Sequence, residues 1–516
     1  MGILDNIKSF FTSAPTKEAW TELSYQPPVM DWFDGEKNFG EMGHPVDYTL
    51  NYENLAVRSW QAYTENDVAE MLINEYLDWV IGKGLRLEST PEINVLDSEG
   101  IALTNEAALR FSNLSEARFK VHTGSRYSVF SKEMNLHQLV REVKKNAMLS
   151  GDCLVVLRVF KNGGVNAQMI DGRRVQTPHG ASVVDAKEKG NEIINGIEQS
   201  KSGAHVAYWV ANPRGGFTRI AVKGEKTKRT QAFMVYHRRY KNDYNRGIGL
   251  LTPILEKLQK LDRYTEAVVG SAEERAKIVY QIVHGALSTG ANPNLSRIGV
   301  RTKNADTSPT HSIQDTSAQF IKGTSSKETY NMEPGSELKA LESKAELSFE
   351  EFFTANLRLI CSARGIPPEV ALKEYNSNYS ASRMATKSWE HTLGVQRWDL
   401  TQQFYKPFYN TWLHLEILGG RISAPGYVAA STATDKNHMI TESYSSAKFV
   451  GINVPSVDPV KDVRAEREKL GPLGANVPLT TPEKATEQLG TGDATENARK
   501  FDAQTKQYKT SENGSI

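Results

Sequence analysis

From Thr252 to His284 apolar residues recur at helical steps: Ile254, Leu258, Leu261, Val268, Ala272, Val279 and Val283. A stripe of that length spans roughly 45 Å as one helix. Thr252-Pro253 supplies a cap residue followed by proline at the first helical position, and Gly285 marks the stop. A second helix opens at Ser348-Phe349-Glu350-Glu351, a capping box, and runs to Arg364-Gly365 with Pro367-Pro368 beyond. Between the two lies Gly285–Ala345, rich in Gly, Ser, Thr and Asn. A connection that long inside a compact fold is a functional sub-structure or an unstructured linker. Apolar runs at Ile298–Val300 and Phe320-Ile321 favour small strands, so we expect a sub-structure carried at the far end of two long helices.

The flanking segments read differently. Residues 1–50 are rich in proline, glycine and aromatics, and Ile3, Leu4, Ile7, Phe10 and Phe11 form one apolar face, the pattern of a docking helix on an extended arm. A helical pattern runs from Glu53 through Leu55, Trp60, Val68, Leu72, Tyr76 and Trp79 to a glycine stop at Gly82-Lys83-Gly84. Further helices are expected at Asn105–Lys120 and Leu136–Leu149. The period then changes to two. Strands are predicted at Cys153–Phe160, Val165–Ile170, Ile193–Glu198, Val206–Val210, Phe217–Val222 and Phe233–Tyr236, a mostly antiparallel unit set onto helices. After Gly365 a Trp-bearing helix starts near Ser380; Pro407 should end or kink it, and Phe408–Leu418 continues. The last fifty or so residues are hydrophilic and proline-punctuated, which reads as a tail of short helices or disorder.

Composition narrows the function classes. At 516 residues, two or more structural units are expected. Lys+Arg 62 against Asp+Glu 61 leaves a net charge of +1, which excludes a strongly basic nucleic-acid coat but leaves room for a local patch or a weak guide for DNA. Cys153 and Cys361 sit far apart in apolar segments, as reduced core thiols of a cytosolic protein would. No run approaches the roughly 18 to 20 apolar residues of a membrane span, and no membrane partner is expected. Asn6 stands where N-myristoylation wants Ser or Thr, and the N-terminus lacks a secretory pattern, so the compartment reads as cytoplasmic.

The chain offers little catalytic chemistry. It has no Walker A run, H-E-x-x-H, C-x-x-C or G-x-S-x-G, so neither a nucleotide motor nor a metal centre is expected, and no cofactor is implied. Gly247-Ile248-Gly249 imitates part of a dinucleotide fingerprint, but Thr252 ends it and no strand leads in; a tight turn before a helix explains it. Asp171 followed by Asp185-Ala186-Lys187 resembles a nuclease arrangement in which carboxylates hold Mg²⁺. Ile170, not proline, precedes Asp171, and Lys187 falls in a charged turn, so a solvated turn is the simpler reading. Of the basic clusters, Lys223–Arg229 reads as a hairpin tip and His237-Arg238-Arg239 as a strand with one charged face, while Arg173-Arg174 completes the set.

The order of features carries more than any one of them. Ser150-Gly151-Asp152 before a strand, Gln168-Met169-Ile170-Asp171 with Arg174-Val175, and Asn195-Gly196-Ile197-Glu198 come first. Ala207-Tyr208-Trp209, His237-Arg238-Arg239, Arg246-Gly247-Ile248-Gly249 and Glu333-Pro334-Gly335 follow. Arg364-Gly365-Ile366-Pro367-Pro368, Asn378-Tyr379-Ser380-Ala381-Ser382-Arg383 and Val457-Asp458-Pro459 complete the series. In this order they resemble the portal, or head–tail connector, proteins of tailed bacteriophages, specifically the lambda-like family.

The resemblance implies an α+β chain with the phage portal fold, assembling into a closed, usually dodecameric ring around a channel. Residues 1–50 would be an N-terminal arm, 51–250 the wing, 251–284 a stem helix and 285–345 the clip. Residues 346–382 would hold the returning stem helix and channel loop, 383–465 the tunnel-lining helix and crown, and 466–516 a polar C-terminal tail. Lys373, Asn376, Asn378 and Arg383 become the candidates for contact with the DNA channel, with a helix cap or an intersubunit salt bridge as the structural alternative for each. Tyr375 and Tyr379 read as packing residues. The implied partners are further copies of the chain, the large terminase subunit, the major capsid or scaffold protein, neck proteins, and double-stranded DNA passing without sequence preference. The implied location is the portal vertex of the virion, after assembly in the host cytoplasm. A metal-dependent nuclease built on Asp171, Asp185 and Lys187, or a capsid or scaffold-type assembly protein, are the alternatives.

Overall fold

The computed structural model describes residues 51–160, 163–178, 190–225, 227–239, 244–282, 320–322, 328–331, 349–374, 379–432, 437–451, 459–471, 479–492 and 494–512. The N-terminal arm, most of Gly285–Ala345, Asp185, Lys187, Asn376 and Asn378 lie outside them. The chain divides into two compact units, one of Met1–Leu255 with Cys361–Ile516 and one of Glu256–Ile360.

In the first unit, α1 (Tyr52–Glu65) and α2 (Asp67–Val80) replace the continuous helix expected from Glu53. The break is Asn66, whose backbone is extended (φ −121°, ψ 115°) and whose side chain accepts the Ala69 N–H at 2.7 Å. Asparagine competes for local backbone partners and so favours the cap over the helix interior. Strand β1 (Arg86–Ser89) and helices α3 (Ile93–Ser98), α4 (Asn105–Gly124) and α5 (Leu136–Ser150) follow. A reciprocal capping box starts α5, Asn135 with Gln138 at 2.9 and 3.0 Å, and Gly151 at φ 97° ends it.

Next come β2 (Asp152–Val159), β3 (Val165–Asp171), β4 (Glu192–Ile194), β5 (Ile197–Gln199), β6 (His205–Ala211), β7 (Phe217–Ala221) and β8 (Ala232–Tyr236). They form two antiparallel sheets, β3-β2-β8 and β4-β5-β6-β7. Leu154, Ile170, Ile197, Tyr208, Val210 and Met234 make one buried cluster that joins the sheets. The strand expected at Ile193–Glu198 is in fact a hairpin, because Asn195 and Gly196 both take positive φ (50° and 81°). That is the Asn-Gly turn whose twist suits a two-residue hairpin.

The second unit contains most of α6 (Leu255–Lys277), then β9 (Ile278–Ile282), β10 (Phe320–Lys322), β11 (Glu328–Asn331) and the larger part of α7 (Phe349–Arg364). The long stripe is cut short: α6 stops at Lys277, and the β-branched run Ile278-Val279 enters a strand instead. Strand β11 pairs parallel with β9 and antiparallel with β10, so Phe320-Ile321 lies in a strand as expected. Thr252 is not the helix cap; Thr252–Ile254 is a 3₁₀ turn with no side-chain cap. Tyr264 of α6 packs on Phe352 of α7 with ring centroids 4.3 Å apart.

The first unit resumes with α8 (Pro368–Leu372), α9 (Tyr379–Leu400) and a π turn at Thr401–Tyr405 that runs into α10 (Lys406–Leu418). Pro407, expected to end or kink the helix, does not end it: the chain passes through the π turn and continues as α10. The proline sits in the first turn of α10, just after the backbone has widened, where its missing N–H and its ring are accommodated. Helices α11 (Tyr427–Thr432) and α12 (His438–Tyr444) precede β12 (Ala447–Val450), which closes antiparallel on β1. Phe119 is the centre of an aromatic core, edge-on to Tyr409 at 5.5 Å and to Trp412 at 5.1 Å. The hydrophilic tail contains three helices among its described residues: α13 (Pro459–Leu470), α14 (Pro482–Leu489) and α15 (Ala494–Glu512). Both cysteines are free and buried, and burial pushes the Cys361 thiol up to about 11. Among the described residues no helix is long and apolar enough to cross a membrane.

Candidate functional site

The segment that leads to the channel-loop candidates is held at its root by α2. Tyr76 on α2 donates its hydroxyl to the Arg364 carbonyl, and its ring meets Trp389 of α9 edge-on at 5.3 Å. Gly365 then turns the chain at φ 74°, Ile366 is buried, and Pro367 leads into the single turn of α8. Lys373 closes α8 in the left-handed region (φ 56°), a C-terminal cap without glycine. Its Nζ lies 2.9 Å from Glu75, a buried carboxylate on α2 that also accepts from Trp79 Nε1 at 3.0 Å. Arg383, on α9, pairs with Asp462 of α13 at 3.2 Å. Lys373 and Arg383 therefore have ion partners within the subunit. The Asn376 and Asn378 candidates lie outside the described residues, as does Tyr375.

A set of cations surrounds the same root. Lys144 of α5 is buried and donates to Gln396 of α9 at 3.2 Å; burial lowers its pKa to about 8, with Asp399 opposing the shift. His237 follows β8. Burial, then the nearby Lys144, Arg364 and Arg238, hold its imidazole well below the usual range, so it is neutral at pH 7. Arg364 donates from Nη1 to the Leu250 carbonyl at 3.1 Å. The glycine-rich segment ties these elements together: Ile248 N–H bonds to Arg238 O at 2.7 Å and Leu250 N–H to Met148 O at 2.6 Å.

That segment also carries a buried and multiply paired charge, Arg246. Arg246 donates from Nε and Nη2 to Asp152 at 2.8 and 2.9 Å and from Nη1 to Val175 O at 2.7 Å, and it lies over the Tyr52 ring at 3.7 Å. Asp152 also accepts from the Tyr52 hydroxyl at 2.8 Å and from Gly247 N–H at 2.9 Å. Burial is the strongest single influence on the guanidinium and lowers its pKa, but Asp152 and Tyr52 together outweigh it and raise the pKa; for the Tyr52 phenol, burial itself is the main cause of a raised pKa. The glycines in Gly247-Ile248-Gly249 are explained by contact, not by a nucleotide. A Cβ on Gly247 would fall 2.0 Å from the Gly151 carbonyl oxygen, and one on Gly151 would fall 2.2 Å from that of Gly247.

Asp171 is engaged as structure. It accepts the Arg173 N–H at 2.9 Å at the start of a 3₁₀ turn and pairs with the Arg173 guanidinium, which also faces Trp60 at 5.6 Å. Arg174 donates to the Ala211 carbonyl. Lys223–Arg229 closes a hairpin tip through Gly224 N–H to Arg229 O at 2.9 Å. His237-Arg238-Arg239 lies beyond the end of β8 and is not a strand with one charged face. Among the described residues no group of three or more His, Cys, Asp or Glu is placed to hold a metal.

Tyr52, Lys144 and Glu75 were not singled out from sequence. Asp152 and Arg246 were quoted only as parts of motifs. The available signal was an ionisable residue next to a glycine and followed by an apolar run: Gly151-Asp152 and Arg246-Gly247 both have it.

The model of the family described as phage portal protein, lambda family, matches residues 40–396. No curated protein matches the chain. Among solved structures, a chain of "Virion of native gene transfer agent (GTA) particle" shares 14% identity, with 87% of this chain and 96% of that chain covered, at a TM-score of 0.39. A chain of "Neck of empty GTA particle computed with C6 symmetry" gives the same values. A chain of "Neck of native GTA particle computed with C12 symmetry" shares 13% identity over 74% and 91% of the two chains, at a TM-score of 0.33.

Proposed function

The chain belongs to the lambda family of phage portal proteins, and from that premise we propose that copies of it close into a ring, dodecameric as is usual in the family, at one capsid vertex. There it serves as the conduit through which DNA is packaged and ejected, without catalysis of its own. The observation that carries the reading is the family match across residues 40–396, which spans the antiparallel sheets, the helix–excursion–helix unit and the Trp-bearing helix. Membership of that family separates this reading from both the nuclease and the shell-forming alternatives.

The proposed division is an arm (1–50), a wing (51–250), a stem helix (251–284), a clip (285–345), a returning stem helix with the channel loop (346–382), a tunnel-lining helix and crown (383–465), and a tail (466–516). What supports the stem and clip is that Glu256–Ile360 forms a compact unit of its own. The clip would meet the large terminase subunit and later the neck proteins, and the crown side would face capsid or scaffold protein and the packaged DNA. Assembly would take place in the host cytoplasm. The near-neutral net charge of +1 suits a conduit, because each neutralised phosphate adds affinity to a polyanion that has to slide. Lys373, Asn376, Asn378 and Arg383 remain the proposed channel contacts.

Negative-stain electron microscopy of the purified full chain tests the assembly. Rings with a central hole and near twelve-fold symmetry are expected; closed shells would overturn the reading in favour of a capsid-type protein. Deleting residues 290–339 should spare the ring and abolish terminase binding. Unchanged terminase binding would remove the clip assignment alone.

A further inference from the structure

The sequence has Asn-Gly steps at 162, 195 and 513, and the second is described at both residues. Such a step carries covalent chemistry of its own. With no Cβ on the glycine to obstruct it, the glycine amide nitrogen can close on the asparagine side-chain carbon Cγ. That nitrogen gives up its proton, the N–Cγ bond forms, and the carboxamide nitrogen leaves with the proton as ammonia. Water then opens the cyclic imide at either C–N bond. The product is aspartate or its iso form, in which the main chain runs through the side chain. Nothing is oxidised or reduced, and water is the only co-reactant.

The Asn195 side chain is exposed and Gly196 is buried, so the electrophile is open while the nucleophile is held. Gly196 N–H donates to Thr177 Oγ1 at 3.0 Å. The flanking carbonyls are engaged as well: Asn195 O accepts from Arg246 Nη1 at 3.1 Å and Gly196 O from the Trp209 N–H at 2.8 Å. The backbone is packed so closely here that a Cβ on Gly196 would fall 2.5 Å from the Gln176 nitrogen. At φ 50° Asn195 lies in the left-handed region, where ψ is roughly +30 to +60°. Ring closure requires ψ to turn far from that value. Turning it swings the peptide between the two residues, which breaks the Thr177 and Arg246 bonds and the turn that sets Ile194 opposite Ile197.

We propose that Asn195-Gly196 is a latent modification site, a succinimide-forming step held shut by Thr177 and Arg246 and released when the β4–β5 turn opens. Arg246 also holds Asp152, so the turn shares its lock with that buried ion pair. The iso form adds one atom to the main chain of a two-residue turn, and a chain marked in this way cannot rebuild the Ile194–Ile197 register. The inference goes beyond the portal reading and does not depend on ring formation.

Ageing of the full-length protein at pH 8 tests it, with peptide mapping by mass spectrometry following the loss of ammonia and gain of water at Asn195. The same chain in concentrated urea gives the unlocked rate. The native protein should convert at least ten-fold more slowly than the urea reference. Thr177→Val, which removes the hydroxyl at nearly constant shape, should convert at least three-fold faster than the parent under native conditions, and Thr177→Ser should match the parent. All three should react equally in urea. Asn135→Ala removes a helix cap in another part of the chain and controls for lost stability; its Asn195 rate should stay at the parental value. A native rate within two-fold of the urea rate would overturn the proposal. So would a Thr177→Val rate no greater than that of the parent or of Asn135→Ala, since the hydroxyl would then not be the lock.

Discussion

Arg246 reaches Asp152 with two nitrogens, at 2.8 and 2.9 Å, across 94 positions of sequence, and the two side chains are 6% and 0% exposed. The pair fastens the segment before the second unit to the first residue of β2, and Tyr52 at the start of α1 completes the arrangement. Three distant stretches of chain are thereby held at one point.

Breaking that point from one side should be costly, because the remaining charge stays buried and uncompensated. Asp152→Ala is expected to lose about 3–5 kcal/mol, read from urea denaturation midpoints. Tyr52→Phe removes only the hydroxyl bond and keeps the ring beneath Arg246, so a loss of about 1 kcal/mol is expected. If the two variants proved equally mild, Asp152 would not be the centre of the arrangement.

Lys144 gives a pH signature. Its folded pKa of about 8 lies below the ordinary 10.5, so the unfolded chain holds this proton more tightly. Stability from this group is therefore lowest below pH 8, where the charged form is buried, and rises as pH climbs from about 8 to 10.5. The full excursion is about 3 kcal/mol. Lys144→Met removes this rise, and chemical denaturation of both proteins at pH 7.5 and pH 10 measures the difference. Equal pH dependence in the two would show that Lys144 titrates normally.

Asp171→Ala separates a structural carboxylate from a metal ligand. The variant loses the cap on the Gly172–Arg174 turn and the Arg173 pair, and about 1 kcal/mol of stability should go with them. Incubation of plasmid DNA with Mg²⁺ and either protein should leave the DNA intact. Cleavage by the parent that Asp171→Ala abolished would revive the nuclease reading.

Local chemistry was legible wherever one residue type decides the backbone. The expected helix Leu136–Leu149 matched α5 to within a residue, and Val165–Ile170 located β3. It failed where two signals competed. The helical spacing that carried the stripe to Val283 could not register that Ile278-Val279 prefers a strand, since its partner Glu328–Asn331 lies some fifty residues on. Pro407 was expected to end or kink the helix because sequence cannot show the π turn that precedes it. The channel-loop residues were chosen by resemblance, and nothing in their own spacing foretold that Lys373 would face the buried Glu75 across 2.9 Å. Partners of that kind are set by tertiary placement alone.

Lys373 is where a structural role and a channel role can be told apart. It occupies the left-handed region at φ 56°, which a glycine adopts without strain, so Lys373→Gly keeps the backbone while removing the charge. The lysine end of the ion pair is exposed but the Glu75 carboxylate is buried, so removing the lysine costs about 1–3 kcal/mol for the charge left behind. Relief at the left-handed position offsets about 1 kcal/mol in Lys373→Gly. Lys373→Gly should therefore melt higher than Lys373→Ala, which loses the pair and retains the strain. If Lys373 contacts DNA in the channel, both variants package less DNA in an in vitro packaging assay, whatever their melting temperatures. Packaging that tracks the melting temperature, lost in Lys373→Ala and kept in Lys373→Gly, would assign Lys373 to holding the loop root and remove it from the channel.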